Sequence, residues 1–302
     1  MRILNFGSLN IDFVYDVDHF VTAGETIAST ALTRYPGGKG LNQSIALARA
    51  GADVAHAGQV GEDGRFLVDL LNADGVDTSL TRVSGTLRSG NAIIQRDRAG
   101  GNCIILYGGT NRVIDEGFVD EVLAGAESGE WLLLQNEISS LRHIVEEGRR
   151  RGMRIVLNPS PADAALDEVD LGKVDVFILN EVEAAMLTGF AGDADADELL
   201  HGLHARHPHA TLILTLGEKG SVFLHGDELV RQDAFAVDVV DTTAAGDTFT
   251  GYLLASLAAG DGPEPAMRRA AAASAIAVTR PGAAVSIPEA AEVDAFLAQR
   301  GL

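Results

Sequence analysis

A doubly wound α/β core with a mostly parallel sheet, carrying a small inserted antiparallel β-sheet lid, is the fold class this sequence predicts. From about residue 112 onward, short continuous apolar runs alternate with amphipathic helical stretches, the pattern of strands buried on both faces. These apolar runs end on polar residues or glycine: Gln135-Asn136-Glu137, Asn158-Pro159-Ser160, Asn180-Glu181 and Thr215-Leu216-Gly217. In parallel sheets ligands gather at such carboxyl ends. The N-terminal third differs, because two apolar runs there flank Arg98-Ala99-Gly100-Gly101, a hairpin signal.

Taken in chain order, Met1-Arg2-Ile3-Leu4-Asn5-Phe6-Gly7 reads as a first strand with no signal-peptide architecture. Residues 12–18 and 26–35 are expected as two further antiparallel strands. Pro36-Gly37-Gly38-Lys39-Gly40-Leu41-Asn42-Gln43-Ser44 precedes a helical run to Ala50 that Gly51 caps. Residues 91–95 and 102–107 pair across the hairpin. Strands are then expected over 131–135, 154–158, 174–179 and 211–215, with helices over 139–151 and 181–187. An extended run over 234–240 leads into a helix from Phe249, and 270–278 reads as a packed helix. The expected division is a core of 1–9, 37–86 and 111–302 and a lid of 10–36 and 87–110. Closing such a lid over a ligand excludes water.

At 302 residues the chain can bury a sizeable core. Its formal net charge of -20 argues against nucleic acid or an anionic membrane surface as main partner. Cys103 is the single cysteine, so an intrachain disulfide and a cysteine-based zinc site are both ruled out. The longest apolar runs are too short and alanine-rich to span a bilayer. The expectation is a soluble, cytoplasmic protein.

Chemistry concentrates in a few segments. In Asp241-Thr242-Thr243-Ala244-Ala245-Gly246-Asp247-Thr248-Phe249, small residues stand where a helix begins, so unpaired N–H groups can point at an anion. Asp247 stands inside that positive end, and backbone donors beside a carboxylate suit phosphoryl transfer. The glycines around Lys39 permit close backbone approach to a ligand that Lys39 and Asn42 could bond; a plain glycine turn before a helix is the alternative. Neither a Walker P-loop nor a Gly-x-Gly-x-x-Gly fingerprint occurs. Asn10 and Asp12, two apart in extended backbone, share a face and could grip adjacent hydroxyls of a polyol, or simply end a strand in polar residues. Asn180 and Glu183 suit water-mediated Mg²⁺ beside phosphates, and equally suit a helix capping box. His201, His204, His207 and His209 lack a metal-site spacing and are read as a solvated helix end.

With these motifs in hand, the chain resembles the ribokinase (PfkB) family of carbohydrate kinases over nearly its whole length. Two signatures carry the resemblance: Gly37-Gly38-Lys39-Gly40-Leu41-Asn42-Gln43 and Asp241-Thr242-Thr243-Ala244-Ala245-Gly246-Asp247-Thr248-Phe249. Asn180-Glu181-Val182-Glu183 is similar to the family's phosphate and magnesium motif, and Arg280-Pro281-Gly282-Ala283 with Ser286 to its cation loop. The resemblance implies a doubly wound α/β core with a β-sheet lid. It implies Asp247 as the base, with Ala244, Ala245, Gly246 and Asp247 N–H groups as the anion hole for the transferring phosphoryl group. Asn10, Asp12, Gly38, Lys39, Asn42 and Glu137 would hold the sugar. Asn180, Glu183, Thr215 and Gly217 would lie along ATP and its Mg²⁺, and Asp241, Thr243, Ala277, Arg280, Gly282 and Ser286 would surround K⁺.

Asn42-Gln43 after the glycines, with Ser8-Leu9-Asn10-Ile11-Asp12, resembles the branch that acts on unphosphorylated ribose. The implied reaction is ATP-dependent phosphorylation of D-ribose at its 5-hydroxyl. Another sugar or a nucleoside as acceptor, and a non-catalytic sugar- or nucleotide-binding regulator, remain as alternatives. A homodimer through the lid is implied by the resemblance alone, although an inserted sheet with open edges is compatible with it.

Overall fold

In the computed structural model, which describes residues 1–190 and 194–302, the strands fall into two sheets. They are β1 (Ile3–Phe6), β2 (Asn10–Asp16), β3 (Ala31–Gly37), β4 (Val54–Gly61), β5 (Thr81–Ser84), β6 (Gly90–Arg96) and β7 (Asn102–Tyr107). There follow β8 (Trp131–Gln135), β9 (Arg154–Asn158), β10 (Val176–Asn180), β11 (Thr211–Thr215), β12 (Ser221–His225) and β13 (Glu228–Gln232). The helices are α1 (Lys39–Arg49), α2 (Arg65–Ala73), α3 (Glu116–Leu123), α4 (Leu141–Arg150), α5 (Glu181–Thr188), α6 (Ala196–Arg206), α7 (Ala245–Ala259), α8 (Pro263–Ala277) and α9 (Ala290–Ala298).

The large sheet has the order β13-β12-β11-β10-β9-β8-β1-β4-β5. From β5 to β11 every pairing is parallel, and the β12–β13 hairpin extends the edge antiparallel. Strand order reverses between β1 and β8, because the chain moves out through β4 and β5 before returning to β8. Such a switch point opens a crevice at the strands' carboxyl ends.

Alternation along each strand explains the two covered faces. Ile3, Trp131, Leu133 and Val156 point into one core with Leu41 and Ile45 of α1, Leu67 and Leu71 of α2, Tyr252 and Leu253 of α7, and Met267 of α8. Leu4, Phe6, Leu132, Leu134 and Leu157 point into the other with Phe118 and Val122 of α3, Ile144 of α4 and Leu199 of α6. The result is the three-layered α/β arrangement expected from the sequence.

The second sheet has the order β3-β2-β6-β7. Its β6–β7 hairpin closes at Arg96↔Asn102, with Asp97 Oδ1 accepting from Ala99 N and Gly101 N at 3.0 and 2.8 Å. Two of its pairings are antiparallel, but β2 and β6 run parallel, Asn10 opposite Gly90. This departs from the expected all-antiparallel pairing, since β2 and β6 both leave the core in the same direction. Strand β3 also starts later than expected, at Ala31. The expected extended run over 234–240 forms no strand; it is tethered instead by Val240 N and Asp241 N to Val278 O at 2.8 and 3.2 Å. No helix among the described residues is long and apolar enough to cross a membrane.

Candidate active site

Helix α7 begins at a corner that its sequence makes open and its backbone makes sharp. Ala244, the residue before the helix, adopts φ 60°, a left-handed conformation that costs a non-glycine residue about 1 kcal/mol. Ala245 N turns back to Thr242 O at 3.2 Å, and Thr248 N bonds Ala244 O at 2.8 Å. The N–H groups of Gly246 and Asp247 donate to no other group among the described residues, and Gly246 is exposed. Donors at a helix start attract an anion through both their hydrogens and the helix dipole.

Asp247 itself is buried, and both carboxylate oxygens are held. Asn42 Nδ2 donates to Oδ2 at 2.9 Å and Gln43 Nε2 to Oδ1 at 2.8 Å. Both amides sit on the first turn of α1, whose start is set by Gly38. Its φ of 96° suits only glycine, and a Cβ there would lie 2.9 Å from Ser8 O. Next along, Lys39 carries both a main-chain and a side-chain contact to the site. Its N–H donates to Glu137 Oε2 at 3.1 Å, and Ser8 Oγ donates to the same oxygen. Burial acts to lower the Lys39 ammonium's pKa, but the carboxylates of Asp247, Glu137 and Glu183 outweigh it and hold the pKa above its ordinary value.

At the other side of this group, Asp12 packs on the backbone of Gly37, where a Cβ would come within 2.2 Å of its carboxylate. Burial, together with the Glu137 charge, pushes Asp12 up to about 6. Asn10 has its amide direction fixed: Asn111 Nδ2 donates to Asn10 Oδ1 at 2.8 Å, which leaves the Asn10 NH₂ as the group offered to a ligand.

A polar cleft of about 240 Å³ is lined by Lys39, Asn180, Glu183, Thr215, Ala244, Gly246 and Asp247, among others. Residues singled out as base, anion hole, sugar ligand and nucleotide ligand therefore share one cavity. Asn10, Asp12, Gly38, Asn42 and Glu137 lie outside its lining. Glu137 and Asn42 join it through their bonds to Lys39 and Asp247, Asp12 through the Glu137 charge, and Gly38 by preceding Lys39 in the chain, whereas Asn10 bonds Asn111 away from it. Gly217 does not reach it. Asn180 and Glu183 form the capping box, with Glu183 N to Asn180 Oδ1 at 2.9 Å and Asn180 N to Glu183 Oε2 at 3.0 Å. The capping reading of this motif is thus realised on the cleft wall.

The cation-loop residues form a separate cluster. Asp241 Oδ1 accepts from Thr243 N and Oγ1 at 2.9 and 2.6 Å, and its Oδ2 accepts from Gly282 N at 2.9 Å. Burial acts to raise this carboxyl, but those donors and nearby Arg96 hold it below the ordinary value. Ser286 Oγ donates to Ala283 O at 2.8 Å, Ala277 O accepts from Arg280 N at 3.1 Å, and the Arg280 side chain pairs with Glu292. The four histidines contribute nothing here: His207 packs on Phe177 with ring centroids 4.8 Å apart. Among the described residues, no group of three or more His, Cys, Asp or Glu is placed to hold a metal.

Several polar residues at the site carry no role readable from the sequence. Gln43, inside a motif, bonds Asp247 directly, and Ser8, Asn111, Asn158 and Ser160 join the same polar group. Polar residues at strand ends were the available signal for Asn158 and Ser160; Asn111 had none.

The crevice at a sheet switch point, an open helix start and a buried carboxylate together define a site for handling a phosphorylated ligand. The chain belongs to the family described as pfkB family carbohydrate kinase, whose profile matches residues 2–290. It is 34% identical over 297 residues to a ribokinase of Haemophilus influenzae, covering 96% of each chain. It is 30% identical to a deoxyribokinase of Salmonella typhi, covering 98% of this chain and 99% of that one. Among solved structures it is similar to Arabidopsis thaliana ribokinase complexed with ribose and ATP, with a TM-score of 0.88 at 28% identity and 98% coverage of both chains.

Proposed function

We propose that this chain is a cytoplasmic ATP-dependent kinase that transfers the γ-phosphoryl group to the 5-hydroxyl of D-ribose. The observation that carries the reading is the buried Asp247 carboxylate beside the open start of α7, on the wall of the cleft that also holds Lys39. Asp247 takes the hydroxyl proton as the sugar oxygen attacks. The N–H groups of Gly246 and Asp247 stabilise charge on the transferring group, and Ala244 and Ala245 shape their approach. Asn10, Asp12, Gly38, Lys39, Asn42 and Glu137 hold the sugar. Ribokinase relatives, one of them complexed with ribose and ATP, support this assignment.

Asn180, Glu183 and Thr215 on the cleft wall line the path of ATP, and Gly217 borders it outside the cleft. An amide and a carboxylate at the cleft wall fit a Mg²⁺ that keeps much of its water and arrives with the phosphates. A K⁺ fits the loop of Asp241, Thr243, Ala277, Arg280, Gly282 and Ser286 chiefly through main-chain carbonyls, because the Asp241 and Ser286 side chains already bond within the loop. Residues 10–36 and 87–110 act as a lid, and a second copy of this chain pairs with it through strand β7.

A second reading, 2-deoxyribose as acceptor, is favoured by the 30% identity to a deoxyribokinase. ATP consumption measured across ribose, 2-deoxyribose, other pentoses, hexoses and nucleosides, in K⁺ and in Na⁺ buffers, decides between them. Ribose is expected to turn over fastest, and faster in K⁺. Asp247→Asn is expected to lose about 10³-fold in turnover while still binding ribose by calorimetry. Ribose binding with no phosphoryl transfer by the unaltered protein would instead favour a regulator.

A further inference from the structure

Beneath the cleft runs a row of buried side-chain amides whose direction is dictated by two backbone carbonyls. Asn5 Nδ2 donates to Gly40 O and to Ser44 Oγ, each at 2.8 Å. A carbonyl can only accept, so the Asn5 NH₂ must face Gly40 and its Oδ1 must face away. That Oδ1 accepts from Gln135 Nε2 at 3.0 Å, and the same Nε2 donates to Gln43 Oε1 at 2.7 Å. With its oxygen so engaged, Gln43 has only its NH₂ left to turn to Asp247 Oδ1, at 2.8 Å. A second carbonyl enforces the same sense. Asn158 Nδ2 donates to Ile178 O at 2.8 Å, which leaves Asn158 Oδ1 to accept from Gln43 Nε2 at 2.9 Å.

The far end of the row is also set. Ser44 Oγ meets His56 Nδ1 at 2.9 Å, and burial pushes that histidine down to about 3, so it is a neutral ring. One cost of the arrangement is visible: the buried Gln135 Oε1 has no partner among the described residues and faces the Cα side of Gly7. A buried acceptor left unsatisfied is expensive, and here it accompanies an amide whose NH₂ serves two others.

We propose that Gln43 is the positioning residue for Asp247, and that Gln135 fixes the sense of the Gln43 amide so that a donor always faces Oδ1. The two carboxylate oxygens then have separate tasks. Oδ1 is committed to the amide row, which pins the rotation of the carboxylate. Among the described residues Oδ2 is held only by Asn42, a contact that an incoming hydroxyl can replace, and it is the oxygen that takes the proton. As the sugar O–P bond forms and the γ-phosphorus separates from the ADP oxygen, the hydroxyl proton passes to Oδ2 while Gln43 keeps its bond to Oδ1. The proposal rests on the reading of Asp247 as base.

Two variants test it. Gln43→Leu removes the donor; Gln135→Met leaves Gln43 in place but removes the donor to its Oε1, so that Asn158 alone sets the sense of its amide. Gln43→Leu is expected to lower kcat about 10- to 100-fold, with KM for ribose and ATP within about threefold, and to move the acid limb of the kcat–pH profile to higher pH. Gln135→Met is expected to change both in the same direction by a smaller factor, and it decides the matter where Gln43→Leu does not fold. A merely structural role would lower the melting temperature without moving the pH profile. An unchanged acid limb and kcat in the folded variants, with Asp247→Asn inactive, would overturn the amide proposal alone. Retained turnover in Asp247→Asn would overturn the reading of the base and the proposal with it.

Discussion

Asp12 holds a carboxyl whose proton is released only near neutral pH, because its site is poorly solvated and shares space with the Glu137 charge. Its pKa is raised from 3.8 to about 6, so the folded, ligand-free protein binds this proton more tightly than the unfolded chain does. The stability this group contributes is therefore fully present below 3.8 and is lost as pH rises through about 6. Sugar binding runs the opposite way, since an ionised carboxylate is the stronger acceptor for hydroxyls. Ribose affinity by calorimetry is expected to rise about tenfold between about pH 5 and about pH 7.5, and to stay flat in Asp12→Asn. Equal affinity at the two pH values in the unaltered protein would remove Asp12 from the sugar grip. The residues proposed to hold the sugar are readable as candidates because each motif keeps its polar groups together in the chain. The task of Gln43 is not readable in the same way, as nothing in its local sequence points to an aspartate 204 residues away.

At the scale of elements, the site depends on how closely α1 and α7 approach. Helix α1 supplies Lys39, Asn42 and Gln43, while α7 supplies Asp247, and Gly251 lies at their contact. A Cβ at Gly251 would stand 2.4 Å from Ala46 Cβ and 2.8 Å from Leu47 N. Neither neighbour is the free end of a flexible side chain, so the helices would have to part. Gly251→Ala is expected to destabilise the protein by about 1–3 kcal/mol in urea unfolding. It should also lower kcat more than it changes KM, because the Asn42 and Gln43 bonds to Asp247 span the same contact. Gly125→Ala, with open space around it, serves as the near-neutral control. Helix and strand identities were largely legible from periodicity, as in β8, β9, β11 and the β6–β7 hairpin. The extended run over 234–240 stays outside both sheets, with Val240 N and Asp241 N bonded to Val278 O instead of to a strand.

At the scale of the whole molecule, the small sheet leaves its apolar surface uncovered. Every residue of β7 is exposed, with Ile104, Ile105, Leu106 and Tyr107 between 50% and 65% exposed. Ile93 on the adjacent β6 and Leu32 on β3, at the sheet's opposite edge, are also exposed. An apolar edge strand left open to water invites further pairing, and a second copy of the same sheet offers the complementary edge. Sedimentation velocity is expected to give a dimer for the unaltered protein and a monomer for Ile105→Lys. A monomer before substitution, or a dimer that survives it, would exclude this face. The net charge of -20 works against such association at long range, so the contact has to rely on burial of this apolar surface.

The sequence by itself determined the layers, the family resemblance and the residue types of the site. These depend on information local to the chain: the period of apolar residues, glycine at a tight approach, and a carboxylate next to small residues at a helix start. Tertiary structure alone decided which polar atoms meet. It joined Asn42 and Gln43 to Asp247, set Glu137 under Lys39, and aligned Asn5, Gln135 and Gln43 into one directed row. The physical reason is that amide direction follows from partners distant in sequence. A buried donor must find an acceptor, and only the packed sheet and helices show where that acceptor lies.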